Sequence, residues 1–229
     1  MESTGRACVA EFVAAFALIV VGAGAAIMYA NGQLDLTGVA LASGLVLAVM
    51  VSVTAHISGG LVNPAVAISL WVTRRLPARR AGALIVAQLA GAVAGGFLLK
   101  YLLPPELFEA GGGGAPALGD GISVGKAILI EAVTTFFLVF AYFGTAVDER
   151  GPFSKTAGLT IGLVIAFDIM AFAPYTGAAM NPARWFGPAL ATMVWTDWFV
   201  WIVGPIAGGI IAGVLYPTVF LEDGASAAH

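Results

Sequence analysis

The tripeptide Asn63-Pro64-Ala65 occurs a second time as Asn181-Pro182-Ala183, and each copy opens a short apolar stretch, near residues 63–73 and 181–194. Asparagine is a favoured N-cap and proline is favoured at the first helical position, so each tripeptide predicts the start of a helix. Stretches of about 11 to 14 residues are too short to cross a bilayer, which takes about 20. They therefore predict re-entrant half-helices, whose backbone at membrane depth must be buried in protein or line a wet cavity.

The rest of the chain is apolar enough to lie in a membrane. Of its 229 residues, 60% are hydrophobic and 10% are charged, with a mean hydropathy of +0.97, whereas soluble domains carry about 25% charged residues. Six stretches reach spanning length: 7–30, 36–57, 80–103, 123–146, 156–173 and 198–221. The first is too long for the apolar region of a signal peptide and contains Glu11. We expect an all-α membrane protein with six transmembrane helices.

The two halves of the chain repeat each other. Glu11 and Glu131 are 120 residues apart, the two asparagines 118, and Gly91 and Gly208 117. Each half, about residues 7–103 and 123–221, holds three spans and one short segment within a single domain of residues 1–229. Because three spans is an odd number, the second half must enter from the opposite face of the membrane. This predicts an inverted repeat with its site near the bilayer midplane.

Basic residues predict the orientation of the spans, since lysine and arginine concentrate in cytoplasmic loops. They occur in the N-terminal tail and in alternate connections, at Arg6, Arg74, Arg75, Arg79, Arg80, Arg150 and Lys155. Both termini are therefore predicted on the cytoplasmic side. The connection at residues 104–121 contains four consecutive glycines, and we expect it to be external and flexible.

The half-helices suggest what the site does. Two helices that enter from opposite faces point their positive dipole ends at one place, which repels a cation or an excess proton but not a neutral molecule. The amides of Asn63 and Asn181 can donate hydrogen bonds there. The residues before each asparagine cannot be helical if it is a cap, so their carbonyl groups can line a path as acceptors. The candidates for this pore lining are Gly59, Gly60, Leu61, Gly177 and Ala179.

A family resemblance adds to this reading. The strings His56–Val66 and Tyr175–Arg184 resemble the two signature loops of aquaporins, the major intrinsic protein superfamily, and the likeness extends over residues 7–221. It implies the hourglass fold, a homotetramer in the lipid bilayer with one pore in each subunit, and a pore lining that includes His56. It also implies a selectivity filter formed by Ser43, Ile169, Ala178 and Arg184. The alternative for His56 is a satisfied interior histidine.

The filter positions favour a wide pore. Strict water channels of the family usually have a large aromatic residue and a histidine where this chain has Ser43 and Ile169, and the aromatic wedge of glycerol facilitators is also missing. The pattern resembles members that pass small neutral solutes besides water. Candidates are glycerol, hydrogen peroxide, ammonia and metalloid hydroxides such as arsenite or silicic acid. We expect such a channel in the inner membrane of a bacterium.

Other classes fit less well. A strict water channel is the main alternative, and a secondary transporter is a more distant one, because inverted repeats with broken helices also build transporters. Transporters usually place ion-coupling carboxylates at the site, whereas two neutral asparagines stand here. The sequence shows no nucleophile–base pair, cofactor motif or metal cluster, and its single cysteine, Cys8, forms no internal disulfide. A net charge of −3 does not suggest a nucleic-acid partner.

Three carboxylates fall inside the predicted spans, where an ionisable residue is a functional candidate by default. The symmetric placement of Glu11 and Glu131 favours support of the non-helical loops over a proton relay. Asp168 directly precedes Ile169, and adjacent helical residues point about 100° apart. We expect Asp168 to face another helix and to pair with a hydroxyl or amide group; alternatively, it reaches the pore wall.

Overall fold

The computed structural model describes residues 3–152 and 154–221. Nine helices in this part of the chain carry the architecture, and six of them are long and apolar enough to cross a membrane. The helices, in chain order, are α1 (Thr4–Ala30), α2 (Leu36–Ser58), α3 (Pro64–Val72), α4 (Ala78–Leu102), α5 (Pro105–Ala110), α6 (Val124–Val147), α7 (Ala157–Thr176), α8 (Pro182–Thr192) and α9 (Val200–Phe220). The six predicted spans and both half-helices, α3 and α8, are confirmed.

The packing of the helices follows the repeat. In the first half α1 packs on α4, in the second half α6 packs on α9, and α2 packs on α7 across the two halves. Each half-helix lies against the last span of the other half, α3 on α9 and α8 on α4. The two half-helices are thus held by the opposite halves of the chain, and their N-termini meet inside the bundle.

Glycines set the close approach of the paired spans. A side chain at Gly91 on α4 would clash with the carbonyl oxygen of Phe12 on α1, and one at Gly208 on α9 would clash with that of Ala132 on α6. Small residues at such contacts let helix backbones come together in lipid, where no hydrophobic force drives helices together. These two equivalent contacts fix the distance between the first and third spans of each half.

The connection between α4 and α6 differs from the sequence prediction. It contains α5 and a short 3₁₀ turn at Gly112–Gly114, and Phe108 is buried, with 4% of its surface exposed. The side chain of Asn31 donates a hydrogen bond of 3.0 Å to the carbonyl oxygen of Leu107. Gly114 has a φ of 70° and lies so close to Ala23 that a side chain would clash with its carbonyl oxygen. The prediction of a flexible connection is wrong, because these glycines permit close packing.

Candidate functional site

The two asparagines cap the half-helices as predicted and also join them. Asn63 Oδ1 accepts a hydrogen bond from the backbone nitrogen of Ala65 at 2.8 Å, and Asn181 Oδ1 accepts one from Ala183 at 2.9 Å. Each Nδ2 donates across the repeat, from Asn63 to the carbonyl oxygen of Met180 at 2.8 Å and from Asn181 to that of Val62 at 2.9 Å. The structure therefore brings both tripeptides to one place.

The segments before the asparagines have an unusual backbone. Gly59 and Gly177, where α2 and α7 end, have positive φ values of 101° and 77°, and so do the non-glycine residues Val62 (52°), Ala178 (42°) and Met180 (54°). A left-handed conformation costs a non-glycine residue roughly 1–3 kcal/mol and persists only where the surroundings enforce it. The groups that enforce it here are the two buried glutamates.

Glu11 holds the first of these segments. Its Oε1 accepts hydrogen bonds from Ser58 Oγ at 2.6 Å and from the backbone nitrogen of Leu61 at 2.9 Å. Its Oε2 accepts from the backbone nitrogen of Val62 at 2.6 Å and from Gln88 Nε2 at 2.7 Å. The carboxylate is fully buried, and all four partners are donors, which is the arrangement that an ionised carboxylate requires.

Glu131 does the same for the second segment. Its Oε1 accepts from Thr176 Oγ1 at 2.7 Å and from the backbone nitrogen of Ala179 at 3.0 Å, and its Oε2 accepts from that of Met180 at 2.8 Å. Both carboxylate oxygens thus accept hydrogen bonds from the segment that precedes Asn181. These contacts favour the support role that the sequence predicts for both glutamates.

A cavity of about 440 Å³ passes through the site. Several of the predicted pore and filter residues line it together: Ser43, Leu61, Asn63, Ile169, Gly177, Ala178, Ala179, Asn181 and Arg184. Pro64, Ala65, Pro182 and Ala183 are buried in the first turns of the half-helices. The glycines Gly59 and Gly60 and the exposed His56 are not among the lining residues. The pore-lining role of these three residues stays a prediction.

The four filter candidates come from four different elements. Ser43 lies on α2, Ile169 on α7, Ala178 on the segment after α7, and Arg184 on α8. The Nη1 atom of Arg184 donates a hydrogen bond of 2.8 Å to the carbonyl oxygen of Gly114, so the packed glycine connection orients the guanidinium. Together these four residues contribute one cationic donor, one hydroxyl group and two apolar side chains to the cavity wall.

Some residues that hold the site were not predicted from the sequence. The Tyr142 hydroxyl donates to the carbonyl oxygen of Gly59 at 2.8 Å, and Trp201 Nε1 donates to that of Thr176 at 3.0 Å. The Trp201 ring stacks on Trp185, with 5.9 Å between ring centroids. A polar atom on a large side chain within a span is a signal for such contacts, because in lipid it needs a partner.

Asp168 matches neither sequence expectation. It is buried, with 1% of its surface exposed, and neither carboxyl oxygen has a hydrogen-bond partner among residues 3–152 and 154–221. The expected hydroxyl or amide partner is thus missing from the described protein. Nor is Asp168 among the residues that line the cavity, so the pore-wall alternative finds no support in the structure.

Comparison with known proteins gives a consistent result. The family model described as "Major intrinsic protein" matches residues 2–216. The chain is 41% identical over 230 residues to aquaporin TIP4-4 of Zea mays, covering 96% of this chain and 88% of the relative. It is 36% identical over 241 residues to aquaporin AqpM of Methanothermobacter marburgensis, covering 94% and 98%.

A solved structure agrees in fold. The X-ray structure of the aquaglyceroporin from Plasmodium falciparum superimposes with a TM-score of 0.84, covering 95% of this chain and 97% of that one. At 24% identity this likeness shows the six-span, two-half-helix inverted repeat alone. The family match over nearly the whole chain and these relatives establish that the protein belongs to the major intrinsic protein family and is a membrane channel of the aquaporin type.

Proposed function

We propose that the protein is a passive channel for water and small uncharged polar solutes, and that it excludes protons and other ions. The observation that carries this proposal is the shared cavity. Both capping asparagines and all four filter candidates line one space of about 440 Å³. A space with amide and guanidinium donors in its wall suits molecules that pass in single file by exchanging hydrogen bonds.

The size of the filter side chains supports solutes larger than water. Ser43 and Ala178 are small, and Ile169 offers no hydrogen bond, so Arg184 is the strongest polar group among these four lining residues. An oxygen of a polyol, a peroxide or a metalloid hydroxide can accept from the guanidinium while the rest of the solute contacts the apolar wall. Glycerol, hydrogen peroxide, ammonia and metalloid hydroxides are the solute classes we propose.

Electrostatics support the exclusion of ions. The N-termini of α3 and α8 meet at the asparagines, and each contributes roughly half a positive charge. The charge of Arg184 lies in the same cavity. A cation in this cavity is therefore repelled by the helix N-termini and by Arg184, whereas a neutral solute meets hydrogen-bond donors. Two neutral asparagines at the centre also favour a channel over an ion-coupled transporter.

The orientation and assembly are proposed as well. The Arg75 guanidinium lies 6.0 Å from the ring centroid of Phe143, so the basic connection after α3 and the end of α6 share one end of the bundle. This supports a cytoplasmic location for that end. The apolar residues Leu41, Leu45 and Val49 are exposed on one face of α2, which supports contact with lipid or with another subunit of a homotetramer. The bacterial inner membrane stays a prediction from the sequence.

The test is stopped-flow light scattering on proteoliposomes that contain the purified protein. We compare water permeability with the uptake of glycerol, hydrogen peroxide and arsenite. The variant Ser43→Phe/Ile169→His should suppress solute uptake and spare water. The matched control Leu159→Phe/Leu163→Phe changes two exposed side chains on α7 and should leave both unchanged.

Each outcome separates the alternatives. Fast water flow without solute uptake in the unmodified protein identifies a strict water channel and refutes the wide filter. Saturable uptake that depends on an ion gradient identifies a secondary transporter. Solute uptake that survives the filter substitutions shows that Ser43 and Ile169 do not form the constriction.

A further inference from the structure

Four arginines, which we call the arginine cluster, lie within one short stretch where α3 ends and α4 begins: Arg74, Arg75, Arg79 and Arg80. Because the first and the last are six residues apart in sequence, their Cα atoms are at most about 22 Å apart. Within the described ranges none of the four guanidinium groups forms an ion pair or a hydrogen bond with another residue. Arg80 is half-buried, and its Nε atom is buried without an acceptor there. The cluster thus concentrates four positive charges that have no carboxylate partner in this part of the chain.

Backbone contacts anchor the turn that carries the first two arginines. The backbone nitrogen of Arg74 donates to the carbonyl oxygen of Trp71 at 2.9 Å. The backbone nitrogens of Arg75 and Leu76 both donate to the carbonyl oxygen of Leu70, at 2.8 Å and 3.0 Å. The side chain of Leu76 is buried. The cluster therefore belongs to a defined turn between two packed helices.

The other two arginines occupy the first turn of α4, where a positive charge is unfavourable. A helix N-terminus carries roughly half a positive charge, and carboxylates are favoured there. The first turn of α4 contains no acidic residue, and its N-cap, Pro77, makes no side-chain hydrogen bond. Arg79 and Arg80 add their charges to an end that is already positive. The preference for basic residues in cytoplasmic connections accounts for their presence, but not for this position, which a bound anion would stabilise.

The cluster lies where a membrane supplies such an anion. Arg79 is at the start of one of the six spans, and Trp71, at the end of α3, has 48% of its surface exposed. Tryptophan is enriched where the hydrocarbon core of a bilayer meets its headgroups. Clusters of about four to eight basic residues next to a spanning helix bind anionic lipids through their headgroups.

We propose that the arginine cluster is a binding site for the headgroup of an anionic phospholipid. A guanidinium group donates two parallel hydrogen bonds to a phosphate, and the N–H groups at the uncapped start of α4 add further donors. The acyl chains of the lipid stay in the bilayer beside the spans. The bound headgroup neutralises the start of α4 and stabilises its contact with α3, the half-helix that begins at the pore.

The first test measures lipid binding through the quenching of tryptophan fluorescence by brominated acyl chains. The protein is reconstituted into phosphatidylcholine vesicles in which the brominated lipid is either phosphatidylglycerol or phosphatidylcholine. Brominated phosphatidylglycerol should quench more strongly at equal content. Trp71→Phe should remove this excess quenching, because the other four tryptophans lie in α8, in α9 or between them. An excess that persists in Trp71→Phe would place the lipid elsewhere and overturn the proposal.

The same assay tests the arginines against a control of equal charge. Arg79→Gln/Arg80→Gln should lower the affinity for phosphatidylglycerol relative to phosphatidylcholine about 30-fold, since each basic residue near an anionic membrane surface contributes about a fivefold preference. Lys126→Gln/Lys155→Gln removes the same charge from two exposed lysines and should keep the preference. Equal losses in both variants would show that only net charge attracts the lipid. Either that result or an unchanged preference in the arginine variant would overturn the proposal.

The second test separates lipid binding from a structural role of the arginines, by thermal unfolding in an uncharged detergent. Without anionic lipid, Arg79→Gln/Arg80→Gln should unfold at the same temperature as the unmodified protein or higher, because it removes positive charge from a helix N-terminus. Short-chain phosphatidylglycerol at about 100 times its Kd should raise the midpoint of the unmodified protein by about 5–10 °C and leave that of the variant in place.

Inorganic phosphate at the same concentration and ionic strength provides the last comparison and should shift neither midpoint. An equal shift with phosphate would identify a soluble anion as the ligand. A variant that is already less stable in detergent, yet gains as much from the lipid, would show that the arginines only support the fold. Both results would overturn the proposal. The fluorescence and thermal readouts do not depend on transport, so this inference and the proposed function are tested separately.

Discussion

Replacement of Glu11 by leucine should severely destabilise the protein. The substitution removes the acceptor for three buried donors, the backbone nitrogens of Leu61 and Val62 and the amide of Gln88; Ser58 can still donate to the carbonyl oxygen of Thr54. A buried donor left unpaired costs about 1–3 kcal/mol, so we expect a loss of about 3–9 kcal/mol. Net stabilities of proteins are about 5–15 kcal/mol, so most of the stability is at risk.

The assay is thermal unfolding of the purified protein in detergent, followed by tryptophan fluorescence. For a chain of this size each kcal/mol moves the midpoint by about 2–4 °C, so Glu11→Leu should lower it by about 6 °C or more. Glu11→Gln keeps one acceptor oxygen and should fall in between. Glu109→Gln, on the exposed end of α5, should have no effect. If Glu11→Leu has the same unfolding midpoint as the unmodified protein, the claim that this carboxylate supports the segment before Asn63 is refuted.

Three further predictions follow from the same contacts. The charge of Arg184 repels a cation about 5 Å away by about 3 kcal/mol at an effective dielectric constant of about 20. Arg184→Val removes this charge, so the cation leak into proteoliposomes should rise about 100-fold. An unchanged leak would show that Arg184 is not part of the barrier. Gly208→Ala should cost about 1–3 kcal/mol through overpacking against the backbone of α6, while Gly82→Ala, which meets open space, should be neutral in the same thermal assay. The hydrogen bonds from Arg150 and Tyr216 hold the pKa of the Asp148 carboxyl well below its usual range. The unmodified protein should therefore be more stable than Asp148→Asn above a pH of about 4, and this difference in stability should vanish as the pH falls further. A difference that persists in acid would show that the charge of Asp148 is not its source.

The elements of the fold could be predicted because their signals are local. A run of apolar residues sets the length of a span, and Asn63 followed by Pro64 specifies a helix start whatever surrounds it. The second copy of the Asn-Pro-Ala tripeptide then predicts the topology. Because each half holds an odd number of spans, the two halves must enter the membrane from opposite faces. The support role of Glu11 and Glu131 was predicted on the same symmetry, and their observed contacts favour it.

The remaining features depend on contacts between distant residues. Gly114 belongs to a run of four glycines, which predicts a flexible connection. Glycine permits both mobility and close packing, and the sequence does not show that Ala23 packs against Gly114. Gln88 and Tyr142 bond to groups 77 and 83 residues away. The sequence predicts a protein partner for Asp168, and only the structure shows that neither of its oxygens has one in the described part of the chain.

The central claim is that the cavity between α2, α7 and the two half-helices is the permeation path. The most direct test is the water permeability of proteoliposomes with Ile169→Trp, which fills the cavity, beside Phe167→Trp, which changes an exposed side chain on the same helix. We predict that Ile169→Trp lowers permeability to the level of protein-free liposomes and that Phe167→Trp leaves it unchanged. Equal permeability of the two variants, at equal protein content, would contradict the account.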